Sequence, residues 1–390
     1  MKLESVERIG RLEPATTDGV ADRALVLLFL LVISLPLAAN LLGFDGGDQQ
    51  AENRELAGMP TIDGTLKSVG EFPIGLAHWF DDHFGFRATL VRWYGMSRLY
   101  GLGVSPSTAV VLGRGGWLFY GDDGGMQDYT NEQPLSNGEL VLWHDSIVRA
   151  NDWLRRHGVA YIFTIVPDKH IIYPEQVPAS IRQVNDVSRT DQVFDALAES
   201  AVVAVDVRPA LRLGKSQERL YHLTDTHWND RGALITYQQI IGAVRAQVPA
   251  VPPAWTRGDF NPVERSVNGM DLAGMMGLTR VLREIDLQLV PRRPRRARVI
   301  EPAGAEASDE LGRVVTEIPG SALPRAIVFR DSFASALAPF LSEHFSRVVY
   351  LWQNDFDAEV VQKEHPDVVL QEIVSRHLYN FIPSPELVPH

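Results

Sequence analysis

Short apolar runs alternate with stretches of helical spacing from about residue 109 to the C-terminus. Runs typical of buried strands occur at 159–167, 201–207, 326–329, 347–352 and 367–373. Between them, apolar residues recur every three to four positions, as at 138–157 and 233–248. This alternation predicts an α/β fold, with a largely parallel sheet flanked by helices.

One segment, 252–324, interrupts the alternation. It is rich in proline, glycine and arginine and contains two strand-like pieces, at 285–290 and 312–318. The pattern predicts an inserted β-rich subdomain or lid.

An uncharged stretch of 21 residues at 24–44 has the length that one helix needs to cross a bilayer. Several basic residues precede it in the predicted tail at 1–23, whereas Arg54 is the only basic residue among the twenty that follow it. This bias predicts an inner-membrane anchor with a cytoplasmic tail and an exported body. A cleavable signal peptide is the alternative. We predict a linker and helical region at 45–104 and the main domain at 105–390.

Composition narrows the possible partners. The chain of 390 residues has a net charge of −12, which argues against a nucleic-acid partner because phosphate binding needs a basic face. Cysteine is absent, so disulfides and cysteine metal sites are excluded. A short basic run at 291–298 is either a solvated loop or a local attraction for an acidic polymer.

The run at 326–329 ends abruptly at Ser332, where a segment of helical spacing begins. A serine at such a turn stands at the edge of the sheet, beside free backbone N–H groups. Two interpretations remain open for this residue alone: a displayed nucleophile and a helix N-cap.

An Asp-x-His step supplies partners for the serine. A serine hydroxyl needs an imidazole to take its proton, and a carboxylate to fix the tautomer of that imidazole. We predict these roles for Ser332, His227 and Asp225. The alternative is a metal site formed by His222, Asp225 and His227, which would leave the serine without a purpose.

Acyl transfer also needs hydrogen-bond donors that stabilise the oxyanion of the tetrahedral intermediate. The backbone N–H groups of Ser332 and Phe333 are candidate donors, and Asn354 is a candidate side-chain donor. Arg330 is a candidate for orienting the substrate. For Asp331 we predict a capping role instead of a place in the triad.

Five segments together resemble the periplasmic alginate O-acetyltransferase family, whose AlgJ-like and AlgX-like members have an SGNH hydrolase-like fold with Asp-x-His placed before the serine. The segments are DTHWN at 225–229, RDSF at 330–333, VPDKHIIYPE at 166–175, GRGGWLFY at 113–120 and WFDDHFGFR at 79–87. The resemblance implies a Ser-His-Asp acetyltransferase, without a cofactor or metal, that acts on an exported polysaccharide. The family it resembles includes longer members with an additional carbohydrate-binding module, and we expect no such module here because the last predicted α/β elements lie close to His390.

The resemblance implies partners as well: a membrane-embedded protein that relays acetyl groups, and other polysaccharide-export proteins. The expected location is the inner membrane, with the catalytic domain in the periplasm. Two other functions remain open, a polysaccharide acetyl esterase and a non-catalytic polysaccharide-binding scaffold.

Overall fold

The computed structural model describes residues 19–42, 57–301 and 312–388. The predicted tail up to residue 18, the predicted linker at 45–56 and residues 302–311 of the predicted insertion lie outside this part. Contacts between residues divide the chain into two compact units, Met1–Tyr94 and Gly95–His390.

The first unit contains two helices and most of a third: α1 Gly19–Leu41, α2 Leu66–Asp82 and α3 Arg87–Met96. Helix α1 is apolar and its side chains are largely exposed. By length and composition it is able to cross a membrane, a property that signal sequences near an N-terminus share. Thr65 begins α2, because its side chain accepts a hydrogen bond from the backbone N–H of Ser68 at 3.1 Å.

The second unit alternates strands and helices, as the pattern of apolar runs predicts. Its elements are β1 Val110–Leu112, β2 Leu118–Tyr120, α4 Gly125–Thr130, α5 Asn137–Arg156, β3 Ala160–Val166, α6 Lys169–Ile172, α7 Arg189–Leu197, β4 Val203–Asp206, α8 Arg208–Gly214, α9 Asp230–Gln247, β5 Phe260–Asn268, α10 Asp271–Met275, β6 Arg283–Pro291, β7 Arg298–Glu301, β8 Val314–Glu317, β9 Arg325–Arg330, α11 Ala338–Leu341, β10 Arg347–Trp352, α12 Ala358–Glu364 and β11 Val368–Val374.

The main sheet has seven strands in the order β4-β3-β11-β9-β10-β8-β7. The first five strands in this order are parallel, whereas β8 and β7 are antiparallel to their neighbours. At its carboxyl end, β10 places Trp352 opposite Arg330 of β9. The carboxyl ends of parallel strands meet at one edge of a sheet, which is where α/β folds place their ligand sites.

Alternating side chains of the buried strands enter two cores. On β3, Ile162 and Val166 pack into a core that includes α9 and α11. The intervening Phe163 and Ile165 pack into a second core with α5 and α7. Helices therefore cover both faces of the sheet, in keeping with the SGNH-like α/β fold class.

The segment predicted as a single insertion at 252–324 has two structural parts. Strands β5 and β6 form a separate antiparallel ribbon, with Phe260 opposite Pro291 and Asn268 opposite Arg283. Strands β7 and β8 instead extend the edge of the main sheet. Half of the segment therefore belongs to the sheet, because β8 pairs with β10 along its length.

Candidate active site

Ser332 lies directly after β9, on the turn that leads into the short 3-10 helix Phe333–Ser335. Its side chain makes no capping hydrogen bond and is partly exposed. The N-cap interpretation therefore does not describe this serine, and its hydroxyl is available to other groups.

Two neighbours face the serine from the loop that precedes α9. His227 Nε2 lies 2.8 Å from Ser332 Oγ, and His227 Nδ1 lies 2.7 Å from Asp225 Oδ1. A carboxylate only accepts hydrogen bonds, so Nδ1 carries the proton and Nε2 is left to accept the serine hydroxyl. The three residues predicted from sequence thus form one continuous chain of hydrogen bonds.

The electrostatics of this pair suit a proton acceptor. Burial alone would raise the pKa of Asp225, but the hydrogen bond and charge of His227 lower that pKa to about 2. Burial likewise opposes the charged form of His227, yet the hydrogen bond and charge of Asp225 raise the pKa of His227 above its ordinary value. The carboxylate is ionised at neutral pH and stabilises the imidazolium.

A buried lysine holds the loop that carries Asp225 and His227. Lys169 Nζ donates to the carbonyl oxygens of His222, Leu223 and Asp225 at 3.0, 3.2 and 2.6 Å. The side chain is 2% exposed, and burial lowers the pKa of Lys169 to about 8. Three carbonyl acceptors compensate for the lost hydration of the ammonium group.

A family model described as "SGNH hydrolase-like domain, acetyltransferase AlgX" matches residues 110–352, well over half of the chain. The chain belongs to this family. The matched range includes Asp225, His227 and Ser332.

Several similar proteins are named "Probable alginate O-acetylase AlgJ". The protein of Pseudomonas syringae pv. tomato is 30% identical over 152 residues, which are 36% of this chain and 34% of the relative. The protein of Pseudomonas aeruginosa is 28% identical over 183 residues, 44% of this chain and 42% of the relative. The matched part spans less than half the length of either relative.

A solved structure, Bacillus cereus PatB1, shares the fold. Its TM-score is 0.50 at 17% sequence identity, and the match covers 69% of this chain and 96% of that one. At this identity the likeness concerns the fold alone.

Asp331 shapes the serine turn of this AlgX-family domain. Its carboxylate accepts the backbone N–H groups of Phe333 at 2.9 Å and Val374 at 2.6 Å, so it caps the turn and ties it to the end of β11. The Asp331 N–H in turn donates to Glu372, which is fully buried. Burial and the Asp331 charge raise the pKa of Glu372 well above its ordinary value, which favours the neutral acid.

This capping corrects the prediction that Phe333 offers its N–H to an oxyanion. That N–H already donates to Asp331. The Phe333 side chain is buried, and its ring lies 4.8 Å from that of His227 and 5.0 Å from that of Trp228. Phe333 therefore supports the imidazole by packing.

The other predicted supporting residues lie at the same sheet edge without a hydrogen bond to the triad in the described part of the chain. Arg330 donates to the carbonyl of Asp331 at 3.1 Å and to Ser335 Oγ at 2.9 Å, and its guanidinium lies 4.3 Å from the Trp352 ring centre. The carbonyl of Asn354 accepts from Gln371 Nε2 at 2.5 Å. Roles for Arg330 and Asn354 with substrate remain predictions.

The alternative to the triad, a metal site of His222, Asp225 and His227, does not form within the described residues. The His222 ring contacts Glu284 at 3.4 Å and Asp286 at 3.8 Å instead of joining Asp225. Asp271 takes the third place, because ligand atoms of Asp225, His227 and Asp271 lie within 4.8 Å of one another. Both His227 nitrogens, however, are engaged by Asp225 and Ser332.

Sequence reasoning missed the two acids that hold the Asp-x-His loop from outside. Asp271 accepts from the Thr226 N–H at 2.9 Å and hydroxyl at 2.8 Å. Glu284 accepts from the Thr224 N–H and hydroxyl, both at 2.6 Å. They lie 45 and 60 residues away along the chain, so no local spacing signals the contact.

Proposed function

We propose that this protein is an O-acetyltransferase that uses Ser332 as its nucleophile and moves acetyl groups onto hydroxyls of an exported polysaccharide. One observation supports the proposal above all: the chain of hydrogen bonds from Asp225 through His227 to the partly exposed Ser332. Family membership supports acetyl as the group that is transferred. The similarity to proteins named as probable alginate O-acetylases supports an alginate-like acceptor.

The reaction has two balanced steps. In the first, Ser332 Oγ attacks the acetyl carbonyl while His227 Nε2 takes the hydroxyl proton, and that proton passes to the leaving group of the donor. In the second, His227 takes the proton of a sugar hydroxyl, whose oxygen attacks the acetyl-serine. The proton then returns to Ser332, and the sugar ester leaves.

Each side chain has one role in these steps. Asp225 keeps the Nδ1 proton in place and stabilises the imidazolium that forms in both steps. Phe333 packs against the imidazole and limits its rotation, and Trp228 packs against Phe333. The Ser332 N–H is the remaining backbone candidate for donation to the oxyanion, because the Phe333 N–H donates to Asp331, and Asn354 stays the candidate side-chain donor.

The location belongs to the proposal too. Helix α1 would anchor the chain in the inner membrane, with the second unit in the periplasm. Acetyl donors made in the cytoplasm would then reach Ser332 only through a membrane-embedded relay protein, which the resemblance implies along with other export proteins. Protease added to intact spheroplasts should digest the second unit, whereas protection of that unit would contradict this orientation.

The first experiment tests the nucleophile. The full chain in detergent should release the chromophore of 4-nitrophenyl acetate and gain one acetyl group on the peptide that contains Ser332. Ser332→Ala should abolish both signals. Ser335→Ala, a serine three positions later in the same turn, is the matched control and should keep most of the activity.

Activity that survives in Ser332→Ala would overturn the proposed nucleophile. A second measurement separates the acceptors, because a transferase adds acetyl mass to an oligosaccharide whereas an esterase only releases acetate. If the acetyl group on Ser332 is released only as acetate, and no acetylated sugar forms at saturating oligosaccharide, the triad performs the esterase reaction.

A further inference from the structure

A cavity of about 510 Å³ lies at the end of the β5–β6 ribbon that is distant from the triad. Its lining contains one tryptophan, three arginines and two acidic residues. The lining residues are Trp255, Gly258, Asp259, Arg292, Arg293, Pro294, Arg296 and Glu343. The volume lies in the range of about 300–1,000 Å³ that is usual for small-molecule sites. No step of the proposed reaction uses this cavity.

Two arginines of the lining are available to a ligand. Arg292 and Arg293 are exposed, and Arg293 forms no hydrogen bond or ion pair with the residues that the structure describes. Arg292 uses only Nε, which donates to the carbonyl of Phe260 at 3.4 Å. Its two terminal nitrogens make no hydrogen bond within the described chain, although hydrogen bonds from Thr256 and then the charges of Arg293 and Arg292 lower the pKa of Asp259.

The two acids of the lining already have partners. The Asp259 carboxylate accepts from the Thr256 N–H at 2.7 Å and hydroxyl at 2.9 Å. Glu343 is 1% exposed and accepts the backbone N–H groups of Arg296 at 2.8 Å and Ala297 at 3.0 Å. These carboxylates organise the cavity wall, and the three arginines of the lining outnumber its two acids.

Trp255 adds an aromatic wall beside the arginines. Its ring is partly buried and packs against Phe260, with ring centres 5.6 Å apart. An aromatic face packs against the C–H face of a sugar ring, and a guanidinium pairs with a carboxylate through two parallel hydrogen bonds. A sugar that bears a carboxylate satisfies both groups at once.

The β5–β6 ribbon connects the cavity with the loop of the triad. Glu284, near the start of β6, holds the Asp-x-His loop, whereas Arg292 follows the end of β6 and lines the cavity. A polymer that follows the ribbon can therefore contact the cavity with one sugar unit while other units lie nearer to the triad.

We propose that this cavity binds a uronate unit of an acidic polysaccharide, as an accessory site separate from the triad. It would concentrate such a polymer on a chain whose net charge of −12 otherwise repels it. The proposal rests on the proposed function for what happens to the bound polymer, but the binding itself does not depend on that reaction.

The test measures binding of hexamannuronic acid to the full chain in detergent by titration calorimetry. The double variant Arg292→Ala/Arg293→Ala should raise the Kd by about tenfold or more, because two charged contacts are lost. Arg265→Ala removes an exposed arginine from the same ribbon but outside the cavity, and it should leave the Kd unchanged. Added salt should weaken binding to the unmodified chain.

Cellohexaose, which has no carboxylates, is the neutral probe. Equal affinity for cellohexaose and hexamannuronic acid, or an unchanged Kd in the double variant, would overturn the proposal. Trp255→Leu should weaken hexamannuronic acid binding, and an unchanged affinity would exclude sugar stacking at this wall.

A separate measurement, hydrolysis of 4-nitrophenyl acetate, distinguishes a failure of the accessory site from a failure of the proposed reaction at Ser332. The double variant should hydrolyse this small ester at the rate of the unmodified chain. If Ser332→Ala binds hexamannuronic acid normally while the unmodified chain lacks ester activity, the accessory site stands and the proposed reaction fails.

Discussion

The described part of the second unit contains two clusters that each consist of a serine, a histidine and an aspartate. The first group and the second group differ in which residue lies in the middle of the hydrogen bonds. In the first, His227 lies between Asp225 and Ser332. In the second, Asp128 lies in the middle, because its Oδ2 atom accepts from Ser375 Oγ at 2.6 Å and contacts His170 Nε2 at 3.2 Å. The second serine therefore has a carboxylate as its partner and no imidazole.

Burial separates the two groups further. Asp128, His170 and Ser375 are 1%, 2% and 2% exposed, whereas the side chains of Asp225 and His227 are 18% and 29% exposed. A substrate can approach the first group but not the second. The comparison shows that the residue types for proton relay occur twice, and that hydrogen-bond order and access distinguish a reactive group from a structural one.

Asp225→Asn should lower activity far more than any change in the second group. An amide can donate to His227 Nδ1, which moves the imidazole proton to Nε2 and removes the acceptor for the serine proton. We expect kcat for ester hydrolysis to fall by about 10³-fold or more. Asp128→Asn is the matched change in the second group and should keep kcat within about threefold, so equal losses in both variants would contradict the division of roles.

Asp128→Ala should have the largest effect on stability. It leaves the buried Ser375 hydroxyl and His170 imidazole without their shared acceptor. We expect the free energy of unfolding in urea to fall by about 2–4 kcal/mol. Asp145→Ala, which removes a partly exposed hydrogen bond with His144, should cost about 0.5 kcal/mol or less. A small loss in Asp128→Ala would remove the structural role assigned to the second group.

The sequence predicts the three residues of the first group, but it does not predict the residues that hold them in place. Ser332 ends an apolar run, and Asp225 and His227 are two positions apart, so both signals are local. The acids Asp271 and Glu284 come from α10 and the ribbon, and only tertiary folding brings them to the loop. The prediction that the Phe333 N–H donates to an oxyanion was wrong because this N–H donates to the side chain of Asp331, a contact that the sequence does not reveal.

The sheet shows the same limit. Apolar runs predict the buried parallel strands because both faces of each strand are covered. The antiparallel strands β7 and β8 were instead assigned to one insertion with the ribbon. Composition distinguishes polar segments from apolar ones but does not show which strands pair with each other. The boundaries of the predicted domains remain predictions.

Asp271→Asn should shift the pH dependence of the first group. The negative charges of Asp225 and Asp271 both raise the pKa of His227, and the imidazole must be neutral to accept the serine proton. kcat/KM should therefore rise with pH through the raised pKa of His227. Without the Asp271 charge that pKa falls, so the rise in the pH profile should move to lower pH. Asp259→Asn, at the far end of the ribbon, is the control; a rise unmoved by Asp271→Asn, or moved to higher pH, would contradict this assignment.

Ser375→Ala should have the smallest effect and completes the comparison between the two serines. Ser375 Oγ donates to Asp128 and accepts the Asp168 N–H at 3.2 Å, so its loss should cost about 1 kcal/mol of unfolding free energy. Ester hydrolysis should be unchanged, since no imidazole of the described chain faces this hydroxyl. Ser332→Ala should show the opposite result, with activity lost and stability kept, because its hydroxyl is partly exposed. Urea unfolding and kcat measured on both variants check this, and a loss of kcat in Ser375→Ala beyond about threefold would show that the second group acts on the reaction after all.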